Sequence, residues 1–349
     1  MFLDLATKRR KEIRMKNKII LSLCYVGFFL ILPLLISRTG GMEISLVPYT
    51  EAAEAAWGDT VKVFNHKTGK ISVMSSFDYI VGVIAAEVPA TYDKEAIKAN
   101  AVAAYTYAMR KKEYKEEHPD YAAEAHKGAH VCTDYAHCKS YKSEMEQRDS
   151  WGDKYDEYYA YVSECVRDVY GKTLVYKGEP ALTVFHSISA GKSASCADIW
   201  GNEVPYLQSV DSSWDVEEKG YLTRVTFSEE QVKSILLGVE LPKEPEEWIK
   251  VSERAESGYV KKVSAGKRSF TGGEIRKMFS LRSNCFEVSY QEEEKNFVFT
   301  VKGYGHGVGM SQSGSQAMAL EGNDYKAILA HYYPGTELVD RYAPSEGTE

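Results

Sequence analysis

The chain has 349 residues, 44% of them hydrophobic and 27% charged, which excludes a disordered, collagenous or coiled-coil protein. Its formal charge of −7 is uneven: residues 1–18 carry seven Lys or Arg against two acids, a net of +5 that leaves −12 on the rest. A body that acidic has no general attraction to a phosphate backbone, so no nucleic-acid partner is expected. Six cysteines are too few for a disulfide scaffold.

After the basic start, Ile19–Ile36 is an eighteen-residue stretch without a charge. At 1.5 Å rise per residue it nearly crosses a hydrocarbon core of about 30 Å. A signal peptide competes, but Ser37-Arg38-Thr39-Gly40-Gly41 offers no A-x-A-like cleavage site. A lipoprotein reading of Cys24 is weaker, because Leu23 is not small. The positive-inside rule then leaves residues 1–18 in the cytoplasm and the body outside, tethered by a single-pass helix. Residues 37–56 are polar and Ala/Glu-rich and are expected to be a linker, with the body spanning 57–345.

Val61–Phe64 and Ile71–Met74 flank a turn at Lys67–Lys70 and predict a hairpin. Helices are predicted over Phe77–Val88, Asp93–Lys112 and Trp151–Tyr170. Strands follow at Thr173–Tyr176, Ala181–Ser187, Thr223–Phe227, Tyr259–Val263, Phe286–Tyr290 and Phe297–Val301. Short helices are predicted at Glu229–Leu237, Gly273–Phe279, Ser313–Leu320 and Tyr325–Tyr332. Helices early and strands later, without βαβ alternation, predict an α+β fold. The span 238–258 reads as a surface insertion.

Four stretches carry chemistry. In the first helix Ile80, Val83, Ile84, Glu87 and Val88 fall at helical spacing, so Glu87 belongs to the apolar face and to the last turn before Pro89. An apolar setting and the negative end of a helix dipole both disfavour a carboxylate, which is the setting of a proton donor. The alternative is a glutamate that reaches solvent from a fraying helix end. No second acid stands in a comparably defined apolar setting.

His126, His130, Cys132, His137 and Cys138 crowd thirteen residues with the ligand types zinc prefers, Cys132, His137 and Cys138 being joined by His126 or His130. A Cys132–Cys138 disulfide is the alternative, permitted outside the cell. Gly303, Gly305, Gly307 and Gly309 alternate around His306 and lead into Ser311-Gln312, without the spacing of a phosphate or dinucleotide loop. Exposed backbone there suits an uncharged polar ligand such as a sugar, or else marks a tight crossing of strands. Phe185 to Ser193, containing Ser187, Ser189 and Lys192, reads as a polar substrate-facing loop rather than a Ser–Lys nucleophile pair. The twenty-five tyrosines are ordinary packing for the most part, although sugar faces do stack on such rings.

Val83-Ile-Ala-Ala-Glu87-Val-Pro89, Glu95-Ala-Ile-Lys98-Ala-Asn100-Ala-Val-Ala-Ala-Tyr-Thr-Tyr107, the Cys/His loop, Gly303–Ser313 and Ala327–Gly335 follow in the order of the stage II sporulation protein D family, which the chain resembles across the body. The resemblance implies a peptidoglycan lytic transglycosylase of sporulation engulfment. Its expected substrate is glycan strands freed of stem peptides, and its expected partners are a cell-wall amidase and the membrane anchor proteins of the same complex. It implies Glu87 as the catalytic residue and one zinc ion on His126, Cys132, His137 and Cys138, leaving His130 spare. Lys98, Ser187, Ser189, Lys192, His306 and Gln312 are the expected substrate-binding residues. The chain departs from the family string at Asn100 (usually Gln), Tyr105 (usually Arg), Ala190 (usually Gly) and Ser313 (usually Tyr). A zinc hydrolase with an open fourth position and a non-catalytic glycan-binding scaffold are the rival readings.

Overall fold

The computed structural model describes residues 59–342. The expected cytoplasmic segment, the membrane helix Ile19–Ile36, the linker and both limits of the body lie outside the described residues. Among the described residues no helix is long and apolar enough to cross a membrane.

The chain is α+β. It opens with the hairpin β1 (Thr60–Asn65) and β2 (Lys70–Ser75), then α1 (Ser76–Glu87), α2 (Lys94–Glu117), α3 (Ala123–His126) and β3 (Val131–Cys132). There follow α4 (Glu144–Trp151), α5 (Tyr155–Asp168), β4 (Lys172–Tyr176), β5 (Glu179–Pro180), β6 (Phe185–His186) and α6 (Cys196–Trp200). Next come β7 (Leu222–Ser228), α7 (Glu229–Ile235), β8 (Ile249–Arg254), β9 (Val260–Ala265), β10 (Arg268–Thr271), α8 (Gly272–Met278), β11 (Cys285–Gln291) and β12 (Asn296–Lys302). The chain closes with β13 (Met310–Ser311), α9 (Gln312–Leu320), α10 (Tyr325–Tyr332) and β14 (Glu337–Asp340).

α2 is the axis of the body. Asp93 caps its start by accepting from the Glu95 N–H, and Ala96, Ile97, Ala99, Ala101, Val102, Ala103, Ala104 and Ala108 are all buried. So many alanines leave backbone within reach on every side, which is how α1, α5, α9, α10 and β4 pack around one helix. α1 is likewise buried on most of its surface rather than along one stripe. Short paired segments knit this core: β3 joins β1 in parallel at Val63↔Val131 and Phe64↔Cys132, and β13 joins β6 in parallel at Ser311↔His186.

Residues 222–302 carry a core of their own. β12 lies between β11 and β7, β9 lies between β10 and β8, and Phe286, Phe297, Phe299, Val263 and Ile275 are buried between them. The span 238–258 is therefore not a simple surface insertion. Its second half forms β8, and Trp248 and Ile249 are buried in this core. The predicted strand Ala181–Ser187 is confined to Phe185–His186. The backbone before it finds other partners, such as the Tyr206 hydroxyl for the Leu182 N–H.

Candidate active site and metal centre

The Cys/His loop folds back on itself. The Asp134 carbonyl accepts from the His137 and Cys138 N–H groups at 3.0 and 2.7 Å, which returns both side chains to Cys132 at the end of β3. α3 delivers His126 from the other side, completely buried. One ligand atom from each of His126, Cys132, His137 and Cys138 lies within 4.8 Å of the others. His126 Nε2 stands 3.1 Å from both His137 Nδ1 and Cys138 Sγ, and His137 Nδ1 stands 3.6 Å from each sulfur.

A tetrahedral zinc with bonds of about 2.0–2.3 Å spaces its ligand atoms roughly 3.3–3.8 Å apart, so donor types, count and spacing all fit. Cys132 and Cys138 are not joined as a disulfide in this structure. The hydrogen bond between them pushes the Cys132 thiol up and pulls the Cys138 thiol down, with His126 assisting the latter. His130 is turned away from the cluster. Its N–H donates to the Lys62 carbonyl, its ring Nδ1 accepts from the Lys62 N–H, and burial pulls it down to about 4.

The chain leaving the loop runs along α1. The Ser140 N–H donates to Glu87 Oε1 at 2.7 Å, Tyr141 stacks on Tyr79, and the Lys142 N–H donates to the Gly82 carbonyl at 3.0 Å. Glu87 is the last residue of α1, because Val88 before Pro89 is extended. The apolar setting expected for it is corrected by these contacts. Glu87 is half-buried, anchored by a backbone N–H, and faces the charge of Lys139. Lys139 is only 5% exposed, with its ammonium 3.1 Å from the Phe185 ring centroid and 5.2 Å from that of Tyr107. Burial pushes it down to about 8, against the opposing pull of Glu87 and Cys138.

Phe185 leads directly to His186, which is 4% exposed and 5.8 Å from His306 between ring centroids. His186 Nδ1 donates to the Val308 carbonyl, and among the described residues Nε2 has no partner. Burial holds His186 at about 4, so its ring is neutral and Nε2 is an acceptor. His306 is partly exposed, accepts from the Val308 N–H and lies 5.1 Å from the Trp200 ring. Gln312, the first residue of α9, is buried with Nε2 unpartnered.

The glycine-rich loop does not present an open backbone cradle. All four glycines hold positive φ. A Cβ on Gly309 would meet the Val184 carbonyl at 2.1 Å, and one on Gly305 would meet His186 Cβ at 2.6 Å. The alternation of glycines lets this loop cross the 184–194 segment at backbone contact.

The other expected substrate residues are dispersed. The Ser187 carbonyl accepts from the Ser313 N–H, Ser189 is buried, and Lys192 is exposed in a bridge with Asp211. Lys98 lies nine residues before Tyr107 on α2, half a revolution away, where it pairs with Asp168 at 2.8 Å and Glu95 at 3.3 Å. It is not brought to the Glu87 side. Asp215, which no local sequence signal singles out, joins the site's surroundings instead. This carboxylate, 1% exposed, accepts from the Ser189 N–H at 2.8 Å, from Ser212 Oγ at 2.9 Å and from Ser313 Oγ. It is a second buried acid, but its oxygens brace the 187–193 loop to α9.

The Stage II sporulation protein family model matches residues 64–176, the segment that holds Glu87 and the whole Cys/His cluster. Stage II sporulation protein D of Bacillus subtilis (strain 168) is 31% identical over 299 residues, 85% of this chain and 84% of that protein. The chain belongs to the stage II sporulation protein D family. The protein of that name from Bacillus amyloliquefaciens is also 31% identical, over 80% of this chain and 79% of its own length. A B. subtilis protein named amidase enhancer is 26% identical over 74% of this chain and 40% of its own.

Three departures from the family string have defined side-chain partners. Tyr105 sits two residues before Tyr107, about 200° around α2, and its hydroxyl donates to Asp59 at 3.0 Å. That position faces away from Lys139 and Glu87. Asn100 donates to the Ala96 carbonyl and to Ser315 Oγ, inside the α2–α9 contact. Ser313, where family members usually carry Tyr, is a donor to Asp215.

Proposed function

We propose that this sporulation protein is a lytic transglycosylase acting on peptide-free glycan strands of the cell wall, with Glu87 as its single acid and base. The observation that carries this reading is the Ser140–Glu87 hydrogen bond, two residues beyond Cys138, which fixes one carboxyl facing the buried Lys139, whose ammonium rests on the Phe185 ring next to His186. Glycosidases that use water need a second carboxyl to manage it. Here the second buried acid, Asp215, has its oxygens committed to three donors and is not free for that task. In a transglycosylase the C6 hydroxyl of the sugar attacks its own anomeric carbon. One carboxyl then suffices: protonated Glu87 gives its proton to the leaving glycosidic oxygen, and the resulting carboxylate takes the proton of the C6 hydroxyl as the 1,6-anhydro ring closes. The Ser140 N–H and the Lys139 ammonium stand ready to stabilise that carboxylate between the two transfers.

His126, Cys132, His137 and Cys138 would hold one zinc ion, which with four protein ligands locks the loop rather than activating water. That closed ligand set disfavours the zinc-hydrolase reading. The anchor Ile19–Ile36, the extracytoplasmic position of the body and a catalytic domain over 57–345 belong to the same proposal, on the charge asymmetry and length of the apolar run. A cell-wall amidase is the proposed partner, in keeping with the amidase enhancer among the relatives.

The test is product analysis of peptide-free glycan strands. Wild-type protein is expected to yield 1,6-anhydro ends, and Glu87→Gln to fold, bind strands and lose at least 10²-fold in turnover. Reducing ends would establish a hydrolase. Binding without cleavage by the wild type would establish a scaffold.

A further inference from the structure

The 222–302 lobe holds Arg276 next to the glycine-rich segment of the body. Arg276 on α8 is half-buried, and its Nε donates to the Leu281 carbonyl at 3.3 Å. The loop so held is itself stitched to the glycine-rich segment: the Gly305 N–H donates to the Arg282 carbonyl at 2.9 Å, and Ser283 bridges Gly305, the residue before His306. Arg276 is thereby tied to the segment that carries His306, and its positive charge disfavours protonation of both His186 and His306. Among the described residues its terminal nitrogens have no acceptor and no acid pairs with it.

Burying part of a guanidinium without an anion costs desolvation that nothing in the protein returns. Lys139, which is buried and faced by Glu87, also acts on His306 through its charge. Asp215 makes its hydrogen bonds to Ser189, Ser212 and Ser313 rather than to Arg276. Exposed aromatic rings lie on the same segments, Tyr304 at 45% two residues before His306 and Trp200 at 43% with its ring 5.1 Å from that of His306. Such rings stack on sugar faces. His186 Nε2 supplies a buried acceptor for a hydroxyl.

We infer that Arg276, presented by the second lobe, binds a carboxylate borne on the sugar ring of the glycan, beside the segment that carries Tyr304 and the His306–Trp200 pair. This deepens the proposed function and rests on it for the substrate. In a peptide-free strand every second sugar carries a lactyl ether whose carboxylate is free, whereas in an intact strand that carboxyl is spent in an amide bond to the stem peptide. Arg276 would thus read the removal of the peptide directly, as a charge.

The experiment measures binding, so that it does not depend on cleavage. Full-length Glu87→Gln protein is titrated with peptide-free strands and with the same strands after their carboxylates are converted to methylamides. Native strands are expected to bind about 10-fold tighter or more, the size of a charge-assisted pair. Adding Arg276→Met should bring that ratio to about one, and Arg276→Lys should restore part of it. A ratio near one with Arg276 present, or a ratio that survives in Arg276→Met, overturns the inference. If the ratio behaves as expected while wild-type protein makes no anhydro ends, the carboxylate site stands and the transglycosylase reading falls. If wild-type protein makes anhydro ends equally from native and methylamide strands and the binding ratio is near one, the transglycosylase reading stands and the carboxylate site falls.

Discussion

The backbone N–H of Ser140 holds the carboxylate of Glu87 at 2.7 Å, across fifty-three residues of sequence. Ser140 is two residues past Cys138, so whatever orders the Cys/His loop also orders the acid at the end of α1. The cluster and the glutamate are one mechanical unit.

Gly82 is the weak point of that unit. A Cβ there would meet the Tyr141 ring at 2.2 Å and the Lys142 carbonyl at 2.9 Å. Gly82→Ala is expected to push the 140–142 strip off α1 and cost about 1–3 kcal/mol by overpacking. Turnover should fall as well, since Ser140 moves with the strip. Urea denaturation and a turnover assay measure the two effects. An alanine variant as stable and active as wild type would show that the contact is not what seats Glu87.

Purified protein is expected to carry about one equivalent of zinc, the content of a single four-ligand site. Cys132→Ser should lose the metal and lower the melting temperature, whereas His130→Gln should keep the metal, because His130 is bound to Lys62 instead. Metal analysis with thermal melting decides between them. Retention of zinc in Cys132→Ser would count against the ligand set.

Asp215→Ala would strand the Ser189 N–H and the Ser212 and Ser313 hydroxyls without their acceptor. The expected cost is about 3 kcal/mol, from buried donors left unsatisfied around a lost carboxylate. Urea unfolding measures it. A loss below about 1 kcal/mol would mean the loop finds other acceptors.

Stability should fall on mild acidification, and His186 should contribute. Burial holds it at about 4 in the folded chain, below the ordinary value of about 6.5. Above that ordinary value both states are neutral and the residue is silent. Between about 6.5 and 4 the unfolded chain binds a proton that the folded chain does not, so stability drops by up to about 1.4 kcal/mol per pH unit. Below about 4 both states are protonated and the slope ends. Unfolding curves at pH 7 and pH 5 should differ less for His186→Gln than for wild type. An unchanged difference would show that His186 does not set the slope.

The sequence by itself determined what short-range spacing encodes. The hairpin at Lys67–Lys70, the helix that ends at Glu87 because of Pro89, and the set His126, Cys132, His137 and Cys138 all lie within a few residues of the features that specify them. The choice of His126 over His130 needed the family resemblance, since spacing admitted both. The face of α2 occupied by Lys98 followed from packing: the stretch from Ala96 to Met109 is buried on nearly every side and has no polar stripe to read, and Lys98 pairs with Asp168 of α5. Alternating glycines are equally compatible with a cradle and a crossing, and it is Val184 and His186 lying against them that decides for the crossing. Asp215 and Arg276 carry no local signature at all. Each gains its meaning from groups far away in sequence, Ser313 for one and His306 for the other, and only tertiary structure brings such groups together.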